Sequence, residues 1–270
     1  MVASAGSAAL DLSAVLLQQK DRIERVASRF GVTGDIHEQD LLFDLLVRNV
    51  YMADPGKAVD AYFEDGEDSC RRFAELCQEH GQGAARTVLE FAAGYGRVAR
   101  HAHRIMPDVQ WTCCDIHPSA VEYARSRMGV EGILSSSRPE TLDLQGRRFD
   151  VVFALSFFSH MPHATFGPWL TRLFEAVSPN GLLIFTTHGE VSARNRRRGG
   201  LPAEFHQDGH AWYQASDQRD LSPSDYGTSY VTFGYVYRLL EHLSGASLIR
   251  YQQGWWWTHQ DMYILRRREA

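Results

Sequence analysis

The sequence lacks an excess of positive charge. Its 28 Lys and Arg residues are outnumbered by 33 Asp and Glu, which gives a formal net charge of −5. A domain that binds nucleic acid usually has a strong net positive charge or a cluster of Lys and Arg along one face. We therefore expect no nucleic-acid partner.

Long apolar runs and paired cysteines are also missing. The apolar stretches 151–155 and 182–185 are far shorter than the roughly 20 residues that span a bilayer, and no basic and then apolar leader opens the chain. The four cysteines lack the spacing of a metal site, so we expect buried thiols and no metal. They are Cys70, Cys77, Cys113 and Cys114. These features predict a cytoplasmic protein with no membrane partner.

The first part of the chain has helical periodicity only. Apolar residues recur every three or four positions over 10–30 and over 39–51. Two further helices are predicted over 57–63 and 68–79. We expect residues 1–83 to form a helical N-terminal cap that packs on the remaining chain and covers the substrate.

From residue 86 onward, apolar strands alternate with helices. Strands are predicted over 87–91, 109–114, 132–135, 149–155 and 181–187, with helices over 97–106, 119–128 and 166–176 between them. Continuous apolar strands separated by helices indicate a parallel sheet covered on both faces.

The C-terminal part begins with a long polar segment. Residues 189–226 predict an irregular loop insertion, followed by a helix over 230–243 and strands over 247–252 and 261–267. We assign residues 84–270 to one α/β domain that contains this insertion.

The strongest local motif joins the first strand to its helix. It reads VLEFAAGYGR from Val88 to Arg97. Gly94 and Gly96 let the backbone approach a ligand closely, and the helix that follows offers unpaired N–H groups. Asp115 ends the next strand, where nucleotide-binding α/β folds hold a ribose diol.

Glu90 distinguishes this motif from a dinucleotide fingerprint. A carboxylate before the turn would oppose a pyrophosphate, whereas it would attract an ammonium or a sulfonium. Glu90 and Asp115 together therefore point to an adenosyl cofactor with a cationic tail. A nicotinamide-dependent oxidoreductase is a less favoured alternative, because it would share the sheet and Asp115 but needs a third glycine.

Four stretches, in order, resemble the class I S-adenosylmethionine-dependent methyltransferases. They read VLEFAAGYGRVARHAHR, WTCCDIHPSAVEYAR, FDVVFALSFFSHMP and SPNGLLIFTTHG, and they cover residues 86–189. The resemblance implies an α/β, Rossmann-like fold with a seven-stranded, mostly parallel sheet whose last strand is antiparallel. It also implies S-adenosyl-L-methionine as the cofactor.

The resemblance also implies which residues hold this cofactor. Glu90, Gly94 and Gly96 would lie near the methionine part, Asp115 would hold the ribose hydroxyls, and Ile116 would flank the adenine. Further contacts are implied for Tyr62, Ala92, Ser137, Arg138, Leu155 and Ser156. Tyr62 has an equally plausible role as one of a core-facing aromatic pair with its neighbour.

Ala92 stands where the family usually has the first glycine of the turn. A left-handed alanine costs roughly 1 to 2 kcal/mol. We therefore predict a negative φ at Ala92.

Histidines near strand ends are the candidate general bases. His160, His188 and His259 each fall near the expected crevice, although each could instead pack or cap. Trp255 and Trp256 could line the pocket of an apolar or cationic substrate, or they could close the sheet over the N-terminal helices. The run Arg194–Arg198 could cover an acidic substrate or lie in solvent.

These residues favour a methyltransferase that acts on an oxygen or nitrogen of a small molecule, either a metabolite or a natural product. Ala154-Leu155-Ser156-Phe157 stands where nucleic-acid amino-methylating enzymes have an Asp/Asn-Pro-Pro-Tyr/Phe pattern. A non-catalytic S-adenosylmethionine-binding module is the main alternative.

Overall fold

The computed structural model describes residues 11–52, 54–214 and 221–269. The start of the predicted cap, residues 1–10, and residues 215–220 of the predicted loop insertion lie outside these ranges. The strands are β1 (Thr87–Phe91), β2 (Gln110–Asp115), β3 (Glu131–Leu134), β4 (Phe149–Ala154), β5 (Val177–His188), β6 (His210–Tyr213), β7 (Thr228–Val231), β8 (Ala246–Trp256) and β9 (Gln260–Arg267). The α-helices are α1 (Leu12–Gln18), α2 (Lys20–Phe30), α3 (Leu41–Leu45), α4 (Pro55–Glu79), α5 (Ala102–Ile105), α6 (Pro118–Met128), α7 (His163–Glu175), α8 (Glu190–Arg198) and α9 (Phe233–Glu241).

The main sheet has seven strands in the order β3-β2-β1-β4-β5-β9-β8. Strands β1 to β5 pair in parallel, and β9 runs antiparallel between β5 and β8. The predicted α/β sheet with an antiparallel last strand is confirmed. The strand order reverses between β1 and β4, where open α/β sheets leave a crevice for ligands.

Each face of this sheet is covered by a separate apolar core. In β4, Val152 and Ala154 belong to the core that includes α7 and α9, whereas Val151 and Phe153 belong to the core that includes α4 and α6. Successive side chains of a strand point to opposite faces, so a strand that is apolar throughout must be covered twice.

The N-terminal region differs from the prediction in one element. The two helices expected over 57–63 and 68–79 are one continuous helix, α4. Gly66 lies within it, and a Cβ there would be 2.3 Å from the carbonyl oxygen of Arg97. Gly66 therefore permits close packing on the segment after β1 and does not end the helix.

A buried polar network joins the N-terminal helices to the sheet domain. Arg100 donates to the carbonyls of Thr33 and Asp35 at 3.3 and 3.1 Å and to the hydroxyl of Tyr62 at 3.1 Å. Tyr62 in turn donates to Asp40 at 2.6 Å. These bonds fix the segment before α3 against the glycine-rich turn.

The region predicted as an irregular loop is partly ordered. It contains α8 and strand β6, which pairs antiparallel with β7 in a separate two-stranded sheet. The helix predicted over 230–243 is also corrected, because its first residues complete β7 and α9 starts only at Phe233. The pattern of apolar residues did not predict β6 and β7, because a strand of four residues is too short to show a clear alternation.

The four cysteines are buried free thiols, as predicted. Within the described ranges, no helix has the length and apolar character needed to cross a bilayer. Likewise, the described residues contain no cluster of three His, Cys, Asp or Glu side chains arranged for a metal ion.

Candidate functional site

A cavity of about 1220 Å³ opens at the carboxyl ends of β1, β2, β4 and β5. The segment around α3 lines one side of it, and residues of α8 and β7 line another. The cavity coincides with the reversal of strand order, which is the usual ligand site of this kind of sheet.

The glycine-rich turn after β1 forms one wall and corrects the prediction for Ala92. Its φ is +57°, which is left-handed, and the φ of Gly94 is +53°. Two hydrogen bonds hold the turn: Ala93 N–H donates to Cys114 O at 3.2 Å, and Gly94 N–H donates to the Asp115 carboxylate at 2.7 Å. These contacts with β2 outweigh the local cost of about 1 to 2 kcal/mol for a left-handed alanine.

Asp115 presents an oriented carboxylate at the end of β2. Besides Gly94 N–H, it accepts from the backbone N–H of His117 at 3.0 Å, and its Oδ1 lies 2.7 Å from His117 Nδ1. A carboxylate has about four acceptor positions, so it can still accept from a further hydroxyl group. Asp115 lines the cavity, with Ile116 beside it.

Glu90 is a buried carboxylate in the cavity wall. Its Oε2 accepts a hydrogen bond from Trp111 Nε1 at 2.9 Å. Burial raises the pKa of Glu90 to about 7, although the Trp111 bond and the charge of Arg97 partly oppose this effect. The side chain can therefore gain or lose a proton near neutral pH, and a cation beside it would favour the ionised form.

Arg97 is the buried cation at this end of the cavity. Its guanidinium lies 3.6 Å from Asp65 and 5.0 Å from the centre of the Trp257 ring. Its Nε is buried and has no hydrogen-bond partner in the described chain. Among the described residues that line this end of the cavity, the carboxyl groups of Asp65, Glu90 and Asp115 accompany the guanidinium of Arg97, so carboxyl groups predominate there.

The structure brings the three candidate histidines to one side of the cavity. The ring centres of His160 and His188 are 6.2 Å apart, and those of His188 and His259 are 6.0 Å apart. His160 stacks on Tyr226 at 4.5 Å, and its Nδ1 lies 2.8 Å from the carbonyl oxygen of Gly227. Burial lowers the pKa of His188 to about 3, with smaller contributions from the charges of its neighbours.

Ser156 follows β4 and links two strands at the cavity floor. Its φ is +62°, and its N–H donates to Thr186 Oγ1 at 2.8 Å. Gln260 donates to Ser156 Oγ at 2.8 Å and accepts from Thr186 at 2.6 Å. Gln260 also lines the cavity, next to the candidate base His259.

Several predicted cofactor residues line the cavity. They are Glu90, Ala92, Gly94, Asp115, Ile116, Ser137, Leu155 and Ser156.

Three predicted cofactor residues do not line the cavity. Tyr62 is fully buried in the core of the N-terminal helices, where it donates a hydrogen bond to Asp40, a residue of the cavity lining. Gly96 packs instead against Met128, which a Cβ would approach to 2.1 Å. Arg138 is exposed in the segment after β3.

The three consecutive tryptophans at the end of β8 lie in different surroundings. Trp256 is buried and donates to Ser69 at 3.2 Å, and Trp255 lies between Arg72 and Arg250. Neither lines the cavity, whereas Trp257 does. The physical reason is the left-handed backbone at Trp257, φ +47°, which turns the chain out of β8.

Residues 89–183 match the sequence profile of a methyltransferase domain. A probable fatty acid methyltransferase of Pseudomonas putida is 25% identical over 170 residues, which are 62% of this chain and 41% of that protein. The chain thus spans less than half the length of this relative.

Solved structures share the fold at low sequence identity. The plantazolicin methyltransferase BpumL in complex with S-adenosylhomocysteine (SAH) has a TM-score of 0.57 and 11% identity, covering 96% of this chain and 99% of that chain. The 1,6-didemethyltoxoflavin-N1-methyltransferase of Burkholderia thailandensis has a TM-score of 0.51 and 17% identity, covering 99% and 94%. An S-adenosylmethionine-dependent methyltransferase of Clostridium acetobutylicum has a TM-score of 0.54 and 14% identity, covering 82% and 98%.

The matched domain begins within β1 and ends within β5, so it contains the glycine-rich turn, Asp115 and Ser156. Residues 89–183 therefore carry a methyltransferase domain within the seven-stranded sheet, and solved S-adenosylmethionine-dependent methyltransferases share this fold.

Proposed function

We propose that this protein transfers a methyl group from S-adenosylmethionine to an oxygen or nitrogen atom of a small molecule. The observation that carries the proposal is that one cavity contains both the acidic pair Glu90 and Asp115 and the histidine cluster. S-adenosylmethionine, when bound, supplies an electrophilic methyl group on a sulfonium. The protein then has to align the acceptor atom, exclude water and remove a proton.

The acidic end of the cavity fits the cofactor. Asp115 has acceptor capacity left for a ribose hydroxyl and is already oriented by Gly94 N–H at 2.7 Å. Glu90 suits the ammonium group, because a neighbouring cation favours its ionised form. Arg97 suits the carboxylate of the same amino-acid end, since it is a buried cation with an unpartnered Nε.

His160 is the best placed general base. A carbonyl oxygen only accepts, so the contact of 2.8 Å with Gly227 O puts the ring proton on Nδ1 and leaves Nε2 as the basic nitrogen. The stacked Tyr226 restricts the ring orientation. His160 would take the proton of a substrate hydroxyl or amine as the new bond to carbon forms.

His188 and His259 are weaker candidates for this role. His188 Nε2 lies 3.4 Å from the amide nitrogen of Gln260, a donor, and burial holds its pKa at about 3. A base with so low a pKa accepts protons poorly at neutral pH. His259 has its Nδ1 2.8 Å from Trp257 O and serves as the second base to be tested.

Cavity size supports a small acceptor. A volume of about 1220 Å³ exceeds the roughly 300 to 1000 Å³ of a typical single-ligand site, so a second small molecule can lie beside the cofactor. The related proteins are named for a fatty acid and for a toxoflavin precursor, which agrees with a metabolite or natural product as the substrate.

The test combines methyl transfer with cofactor binding. The protein is incubated with methyl-labelled S-adenosylmethionine and fractionated small-molecule extracts, and SAH affinity is measured by calorimetry. We expect the labelled methyl group to be transferred to a small molecule of the extract. We also expect His160→Ala to lower kcat by about 10² to 10⁴ while the affinity for SAH is unchanged. The exposed His103→Ala is the matched control and should have no effect.

Two other results would favour the alternative functions. Tight SAH binding without turnover across all extracts would favour a non-catalytic binding module. Binding of a reduced dinucleotide with no binding of SAH would favour a nicotinamide-dependent oxidoreductase. Normal kcat in His160→Ala would remove His160 as the base.

A further inference from the structure

The arginine run after β5 has one member that faces the cavity. Arg194, Arg197 and Arg198 are exposed, whereas Arg196 is half-buried and lines the cavity. The proposed methyl transfer gives Arg196 no role.

The helix that carries Arg196 is tightly anchored above the sheet. Gly189 precedes α8, and a Cβ there would lie 2.0 Å from an Asp261 carboxylate oxygen. One turn into the helix, Ser192 Oγ donates to His259 O at 2.7 Å. These contacts set the position of the helix relative to β9. The backbone that carries the side chain of Arg196 is therefore fixed.

The guanidinium of Arg196 is itself held in place. Its Nε donates to Pro202 O at 2.7 Å, and its Cζ lies 4.6 Å from the ring centre of Tyr213 and 5.7 Å from that of Tyr230. A planar guanidinium that stacks on aromatic rings loses little freedom when it binds a further acceptor.

No carboxylate is among the contacts of Arg196 in the described part of the chain, which are a carbonyl and two phenol rings. Asp225 also lines the cavity, but its Oδ1 accepts from Ser224 at 3.1 Å. His188 nearby is neutral at pH 7, since its pKa is about 3. Arg196 is thus a guanidinium with no carboxylate partner among the described residues, in a cavity lining that also includes Asp225, whereas the carboxyl groups of Glu90 and Asp115 lie near the glycine-rich turn.

We propose that Arg196 forms an anion subsite that binds a carboxylate or phosphate group of the methyl acceptor. Arginine binds both groups through paired N–H donors, and a charge-assisted bond of this kind also orients its ligand. The acceptor is thus an anionic small molecule, whose charged group lies at α8 while its reacting atom faces the histidines. This inference rests on the proposed function, because it names the class of acceptor.

The test uses three small probes of similar size: benzoate, phenyl phosphate and benzamide. Each is titrated by calorimetry into the full chain saturated with SAH. We expect at least one anion to bind about tenfold more tightly than benzamide, and the preferred anion indicates whether a carboxylate or a phosphate is recognised. Arg196→Gln should abolish this preference, whereas the exposed Arg198→Gln should retain it.

Several outcomes would overturn the subsite. These are an anion preference below about threefold in the unmodified protein, a preference that survives Arg196→Gln, or one that Arg198→Gln removes equally. SAH affinity shows that each variant is folded, and Arg196→Lys should keep part of the preference because it keeps the charge. If the unmodified protein does not bind SAH, the proposed function itself fails, whatever the probes show.

Discussion

Substitution of Glu90 by Gln tests the electrostatics of the acidic end most directly. Gln has nearly the same shape, and its carbonyl oxygen can still accept the hydrogen bond from Trp111 Nε1. The change removes the carboxylate that burial holds at a pKa of about 7. Stability and cofactor binding should then change in opposite directions.

The expected gain in stability follows from the pKa. Unfolded, Glu90 ionises near its ordinary value of 4.5, but in the folded protein it ionises near 7. The folded protein therefore loses stability as the pH rises across this window, by about 3 kcal/mol in total, because each pKa unit corresponds to about 1.4 kcal/mol. Glu90→Gln has no proton to lose here, so its advantage should grow by about 2 kcal/mol between pH 5 and pH 8.

Urea unfolding of the cofactor-free protein measures this advantage at both pH values. Glu122→Gln, which removes an exposed carboxylate on α6, is the matched control and should show no such change. Calorimetry should find SAH bound about tenfold or more weakly by Glu90→Gln, since a charged hydrogen bond contributes about 1.5 to 3 kcal/mol. An advantage that is the same at pH 5 and pH 8, or a less stable variant at pH 8, would refute the reasoning.

Three further changes test the turn, the ribose site and the position of α8. Asp115→Ala should weaken SAH binding by at least about tenfold in calorimetry with the circular dichroism spectrum retained, because a charged hydrogen bond to the ribose is lost; unchanged affinity would remove its role at the ribose. Ala92→Gly should raise the free energy of unfolding by up to about 1 kcal/mol, since relief of the left-handed strain exceeds the added chain entropy; a lower value in urea would show that the turn is not strained. Gly189→Ala should lower the melting temperature and cost about 1 to 3 kcal/mol, because its Cβ would meet Asp261. Gly83→Ala, whose Cβ would have its nearest neighbour at 3.6 Å, is the control for that change, and equal effects of the two would contradict the packing argument.

Apolar patterning predicted the sheet well because both faces of it are buried. Strands β1, β2, β4 and β5 are nearly continuous apolar segments, and their order in the chain with helices between them leaves few possible topologies. Glu90 and Asp115 could be placed at strand ends for the same reason. Helix boundaries were less predictable, since Gly66 lies inside α4 where its local propensity suggests a break.

The polar insertion shows where local patterns fail. Strands β6 and β7 have only four residues each and pair mainly with one another, so no periodic signal marks them. Their positions matter, because Tyr213 and Tyr230 contact Arg196 from these strands. A run of five residues containing four arginines carries no information about which one faces a cavity.

The sequence by itself determined the fold class, the acidic cofactor motif and the set of histidines, because these depend on strand order and on residues at strand ends. Tertiary structure decided the left-handed φ of Ala92, the position of Trp257 in the cavity and the orientation of Arg196. Each of these depends on contacts between distant segments: β1 with β2, β8 with β9, and α8 with β6 and β7. The conformational preference of a single residue does not include the energy of such contacts. At Ala92 these contacts outweigh the cost of a left-handed alanine, which is about 1 to 2 kcal/mol.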